Sequence, residues 1–103
     1  MLMDEPFGAL DAQTRALLQD ELLRIIETRD LMTLFVTHDL EEAIYLSDQV
    51  VIMTHRPGTV KEVVEVELGG RRYESDVRGT AHFNDLRRHA WSSLREELVR
   101  AGV

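Results

Sequence analysis

An apolar tripeptide, Met1-Leu2-Met3, runs straight into two adjacent carboxylates, Asp4 and Glu5, and then into Pro6, Phe7 and Gly8. In an open α/β sheet, ligands gather at the carboxyl ends of the strands. Asp4 at such an end is placed to hold Mg²⁺, a hard cation that takes oxygen ligands and keeps several of its waters. Glu5, pointing to the other side, is placed to orient and deprotonate an attacking water, a contribution of about 10²–10⁴-fold in rate. A bare Asp-Glu pair also suits the start of a solvated loop. His38 closes a second apolar stretch further along the chain. A histidine there is either a polar strand end bonded to nearby backbone or a group with chemistry of its own. Asp39, Glu41 and Glu42 beside it raise a metal cluster as a rival. On a helix, however, Glu41 and Glu42 diverge, and both suit its positive N-terminal end. His55, His82 and His89 read as solvated. His82 and His89 lie seven apart, but two histidines without a third ligand make a poor zinc site. The chain has no cysteine, which excludes a thiolate metal site or a Cys nucleophile.

These residues need elements to hold them. Residues 1–3 read as the end of a buried strand, and Pro6 and Gly8 break the pattern. Asp11 suits the N-cap of a helix running to about Arg29, with Leu18, Leu22, Ile25 and Ile26 along one face. Residues 32–37 (M-T-L-F-V-T) read as a strand. Asp39 with Glu42 three residues on resembles a capping box opening a short helix that bears Leu40, Ala43 and Ile44. Residues 49–54 read as a strand buried on both faces. His55-Arg56-Pro57-Gly58 suits a tight turn, and residues 59–68 form the returning strand, with Glu65 and Glu67 on a wet face. The polar stretch 69–80 is the expected mobile loop. Phe83, Leu86, Ala90, Trp91, Leu94 and Leu98 mark a final amphipathic helix. The order strand, helix, strand, helix, strand predicts an α/β layer with parallel strands.

At 103 residues the chain has the length of one ordinary domain. Its 44% hydrophobic and 30% charged content is that of a globular protein rather than a disordered one. The apolar runs are too short to insert into a bilayer, and the first residues carry no signal-peptide pattern. Residues 1–55 carry 11 acids against 3 basic side chains, while residues 56–103 carry 8 against 9. Nucleic acid calls for a basic stripe, so it is excluded as a partner. A metal ion or a basic protein suits this distribution better.

The run L-M-D-E-P-F-G-A-L-D, from Leu2 to Asp11, closely resembles the Walker B segment and D-loop of ABC-transporter ATPases. Val36-Thr37-His38-Asp39 followed by Glu41-Glu42-Ala43 resembles the family's switch histidine and the helix after it. Leu46-Ser47-Asp48-Gln49-Val50 with Met53, then Arg56-Pro57-Gly58, resembles the next strand and turn in importer-type members. The likeness runs from Met1 to about Leu68 and is greatest to subunits that energise uptake of nitrate, sulfonate, taurine or similar solutes. It implies an α/β fold, the C-terminal half of a P-loop NTPase (RecA-like) core over 1–68, followed by a hairpin and an amphipathic helix, with 69–103 as an appendage. It implies that Asp4 holds Mg²⁺ through water, that Glu5 is the catalytic base, and that His38 contacts the ATP γ-phosphate and helps fix the attacking water. Gly8, Ala9, Leu10 and Asp11 would form a D-loop that crosses to a second ATPase subunit in a head-to-tail dimer. Many members carry Ser where Gly8 stands.

Hydrolysis in this family uses a phosphate-cradling loop, G-x-x-x-x-G-K-[ST]. The single lysine, Lys61, follows the Pro-Gly turn with no glycine-rich loop before it, and the L-S-G-G-Q signature is missing. Leu68-Gly69-Gly70-Arg71 and Leu46-Ser47-Asp48-Gln49 are decoys in the wrong context. Losing about three charge-assisted hydrogen bonds removes roughly 5–9 kcal/mol of nucleotide binding. The expectation is that ATP and Mg²⁺ are bound by a completed parent, at the inner face of a membrane through a permease partner, and that this chain alone neither binds nor hydrolyses ATP. The alternatives are a non-catalytic interaction module derived from such a subunit, or a truncated reading frame.

Overall fold

In a computed structural model, which describes residues 1–54, 58–69, 72–100 and 102, the first strand is short. β1 (Leu2–Asp4) pairs in parallel with β2 (Leu34–Val36), setting Leu2 opposite Leu34, Met3 opposite Phe35 and Asp4 opposite Val36. Parallel neighbours need a long crossover, and α1 (Ala12–Arg29) supplies it. Asp11 starts that helix as expected, since an extended cap residue turns its side chain onto the first free amides. Its carboxylate accepts from the Thr14 N–H at 2.9 Å. The helix ends on Asp30 in the left-handed conformation common at helix C-termini, while the Leu31 N–H reaches back to the Ile26 carbonyl at 3.1 Å.

The buried side of α1 differs from the one the periodicity predicts. Gln19 and Leu23 are buried, Leu22 and Ile26 are half-buried, and Leu18 and Ile25 are exposed. The helix is turned because its Gln19–Leu23 side meets α2 (Leu40–Leu46) and the Arg72–Glu74 turn. Asp39 caps α2 by accepting from the Glu42 N–H at 3.2 Å. The reciprocal half of a capping box is absent. The Asp39 N–H donates to Thr37 Oγ1 instead, and the Glu42 carboxylate is buried against Gln19 Nε2 at 3.1 Å.

β3 (Gln49–Met53) and β4 (Val60–Glu65) form an antiparallel pair with a bulge between Ile52 and Met53. β3 therefore does not extend the parallel layer. Among the described residues the two pairs are separate sheets. Nor is β3 buried on both faces. Val50 and Ile52 are covered, whereas Val51 and Met53 are each 48% exposed. A two-stranded ribbon buries only the face laid on its helices. The predicted alternation past Thr59 holds, with Val64 and Val66 buried and Glu65 and Glu67 exposed. His55, Arg56 and Pro57 of the expected turn lie outside the described residues. Its flanks are closed by the Thr54 N–H donating to the Thr59 carbonyl at 2.7 Å.

The stretch expected as a mobile loop carries two 3₁₀ turns, Arg72–Glu74 and Val77–Gly79. α3 (Ala81–Arg100) then packs on α2, β3 and the second turn. Its buried line is Phe83, Ala90, Ser93 and Glu97, and Trp91 is 48% exposed, off the face the sequence pattern assigns it. The core gathers Leu23, Ile44, Tyr45, Leu46, Val50, Ile52, Val64, Val66, Phe83 and Ala90, with Phe7 joining from the loop after β1. The centre of packing is thus α2 and the hairpin, not the parallel pair.

Candidate functional site

The two parallel strands end side by side, and each releases its candidate residue there. After Asp4 the chain turns sharply, and Glu5 adopts φ 49°. That left-handed conformation costs a non-glycine residue roughly 1–2 kcal/mol. The Glu5 N–H donates to the Val36 carbonyl at 2.7 Å, which extends the β1–β2 ladder by one bond and fixes the turn. The Gly8 N–H donates to the Glu5 carbonyl at 3.3 Å, the Leu10 N–H to the Phe7 carbonyl at 3.2 Å, and the buried Phe7 ring pins the loop to the core.

Glu5 and His38 come together. Glu5 Oε1 accepts from the His38 backbone N–H at 3.0 Å and lies 2.5 Å from the ring Nδ1. The His38 side chain is 97% exposed and Glu5 39%, so the pair opens to solvent. A carboxylate and an imidazole at this separation can pass a proton between them, or jointly orient a water on their open side. Asp4 is exposed at the strand end. No group of three or more His, Asp or Glu suited to a metal ion occurs among the described residues, so the cluster of His38, Asp39, Glu41 and Glu42 weighed above does not form. A single open carboxylate still fits Mg²⁺, which is bound through one or two carboxylates with waters and substrate phosphates completing its shell.

Of the other loop residues, Gly8 and Ala9 are exposed and Leu10 packs partly on the core. The Asp11 carboxylate faces its own helix, where the Thr14 N–H holds it below the usual carboxylate range. A Cβ at Gly8 would meet the Glu5 carbonyl oxygen at 3.6 Å, an ordinary contact, so a side chain there fits.

Curated proteins similar to the chain are named as ATP-binding proteins. A protein of Methanocaldococcus jannaschii named as an uncharacterised ABC transporter ATP-binding protein is 44% identical over 101 residues, 98% of this chain and 36% of that protein. An aliphatic sulfonates import ATP-binding protein of Bacillus cereus is 54% identical over 68 residues, 66% of this chain and 27% of its own length. The nitrate import ATP-binding protein of Synechococcus elongatus is 40% identical over 98 residues, 94% of this chain and 15% of its own length. The chain is a relative of the ABC-transporter ATP-binding proteins. It spans about a third of the length of the first of these relatives. No family model matches it.

Around the Glu5–His38 pair stand residues that sequence reasoning passed over. Arg15 donates from Nη1 to Asp39 Oδ2 at 3.1 Å and from Nη2 to the Leu10 carbonyl at 3.0 Å. Its place one turn after the Asp11 cap was the signal that could have found it. Behind α2, Arg78 lies 3.6 Å over the Tyr45 ring and donates to Gln19 Oε1 at 2.8 Å, and Gln19 in turn donates to Glu42. Burial, and then the hydrogen bond to Asp20, push the Tyr45 hydroxyl well above its ordinary range. α3 forms a further wall. An open groove of about 290 Å³ beside His38 is lined by Asp39, Leu40 and Glu41 on one side and by Arg87 and Trp91 on the other. The remaining described histidines have structural partners. His82 Nε2 lies 3.1 Å from the Val66 carbonyl, and His89 Nε2 lies 2.8 Å from Glu62, whose carboxyl this contact holds below its usual range. Lys61 Nζ donates to the Ser93 carbonyl at 2.6 Å and serves the seam between β4 and α3.

Proposed function

We propose that the chain is the C-terminal part of the ATP-binding subunit of an ABC importer, carrying the metal and water-activating half of a nucleotide site. The observation that carries this reading is Glu5 and His38 held within hydrogen-bond reach at adjacent ends of two parallel strands, though far apart in the chain. In a completed subunit Glu5 accepts a proton from the attacking water, and His38 holds the γ-phosphate and that water in line. Mg²⁺, when bound, neutralises charge on the phosphate oxygens, and Asp4 is the residue that would hold it through water. The 8–11 loop reaches a second ATPase subunit, a permease carries the solute, and the subunit works on the cytoplasmic face. The names of the sulfonate and nitrate relatives support an inorganic or organic anion as the class of solute. Residues 1–68 belong to the P-loop NTPase core and 69–103 to an added piece. Without a phosphate-cradling loop, the chain alone does not bind ATP.

The test uses the subunit completed by an N-terminal half bearing such a loop. Glu5→Gln keeps size and hydrogen bonding but cannot take a proton, so Mg-ATP binding stays while single-turnover hydrolysis falls by at least about 10²-fold. Asp4→Asn lowers both affinity and turnover, and His38→Ala keeps binding and loses turnover. Hydrolysis by Glu5→Gln at the parent rate would falsify its role as the base. A micromolar Kd for Mg-ATP in calorimetry of the chain by itself would show that it binds nucleotide unaided.

A further inference from the structure

The site is held by a ring of contacts that closes through one side chain. The Glu5 carbonyl accepts from Gly8 and its carboxylate from His38. Next in the chain, Asp39 spends Oδ1 on the Glu42 N–H and Oδ2 on Arg15. Arg15 spends its second nitrogen on the Leu10 carbonyl, which returns the ring to the loop that began at Glu5. We propose that Arg15 is a positioning residue, whose guanidinium fork makes the 8–11 loop and the segment bearing His38 move as one body. The proposal rests on the reading of Glu5 and His38 given above and adds a device that couples the loop to the histidine.

Energetics favour geometry over stability as the purpose. The Arg15 and Asp39 side chains are 30% and 36% exposed, and an ion pair that open adds little to folding. A planar guanidinium, however, fixes two acceptors at once, whereas a lysine ammonium acts as a single point charge. Arg15 is itself anchored, since its N–H donates to the Asp11 carbonyl at 2.9 Å in the first turn of α1. A shift of the loop at Leu10 is thus delivered to Asp39 and, one residue back, to His38.

Amide spectra of the completed subunit test the coupling. Arg15→Met is expected to move the resonances of residues 8–11 and 37–39 together. Arg15→Lys, which keeps the charge and loses the fork, is expected to move both sets as well, by less. Asp39→Asn, which keeps the cap on Glu42, is expected to perturb residues 8–11 across the ring. Changes confined to one segment, or an Arg15→Lys spectrum identical to the parent, would overturn the proposal, and the lysine variant decides if the methionine variant does not fold. In the completed subunit, Arg15→Met is expected to slow single-turnover hydrolysis by roughly 10- to 10²-fold, with Mg-ATP affinity held within about twofold. Parent-rate turnover by Arg15→Met beside a dead Glu5→Gln would sink the coupling. If Glu5→Gln itself turned over normally, the reading of Glu5 would fall, and the amide spectra alone would judge the ring.

Discussion

Arg72 shows how much of this structure a single buried side chain can organise. It is 4% exposed, and its Nη1 donates to the carbonyls of Tyr45 at 2.9 Å and Ser47 at 2.8 Å, near the C-terminal end of α2. Those are the carbonyls a helix end leaves unpaired and the end where positive charge is favoured. Nε donates to the Gly69 carbonyl and Nη2 to Asp48. Burial pulls the guanidinium down from its ordinary value and the Asp48 charge pushes back. Arg72→Met, of similar length, is expected to cost roughly 2–4 kcal/mol in urea unfolding, since it leaves buried carbonyls without a donor. A midpoint unchanged from the parent would show that water replaces the side chain there. At this scale Glu5 and His38 were legible as candidate residues because each follows an apolar run. The Arg72 and Arg15 contacts were not, because a long flexible side chain can reach acceptors that sequence spacing does not name.

Among the elements, the order and type of segments followed from periodicity, while the faces that α1 and α3 bury did not. α1 carries apolar residues on more than one side, so a period of 3.6 fits several orientations. Contact with α2 and the Arg72 turn chose the Gln19–Leu23 side. α3 offers a sharper case. Trp91 is its largest apolar side chain and reads as core, yet Phe83 and Ala90 are buried to 1% and 0% exposure while Trp91 stands at the rim of the groove beside His38. Phe83→Ala is expected to destabilise the fold by about 3–5 kcal/mol, and Trp91→Ala by no more than about 1 kcal/mol. Thermal or urea melts of the two variants measure this directly, and a larger loss for Trp91 would return the helix to the face its sequence pattern assigns. The hairpin was legible from its turn residues. Its separation from β1–β2 was not, because a strand's apolar run does not say which neighbour it pairs with.

On the scale of the molecule, the acidic half of the chain supplies both site strands, and the near-neutral half supplies β4 and α3. No described helix is long and apolar enough to cross a membrane. The parallel pair lies away from the centre of packing, with Leu2 68%, Leu34 63%, Met32 92% and Val36 47% exposed and no further strand on either edge among the described residues. Such edges and faces recruit partners. The chain by itself is therefore expected to self-associate, and a sharp monomeric mass in light scattering together with a cooperative melt would contradict this. The direction of the strands sets the kind of assembly. A strand added antiparallel to an edge joins two copies about a twofold axis and consumes both edges. A strand added in parallel leaves a fresh, identical edge on the newcomer, so growth has no closing step. Where β1 and β2 of successive copies join in parallel, the outcome is a spread of sizes that climbs with concentration and has no preferred stoichiometry.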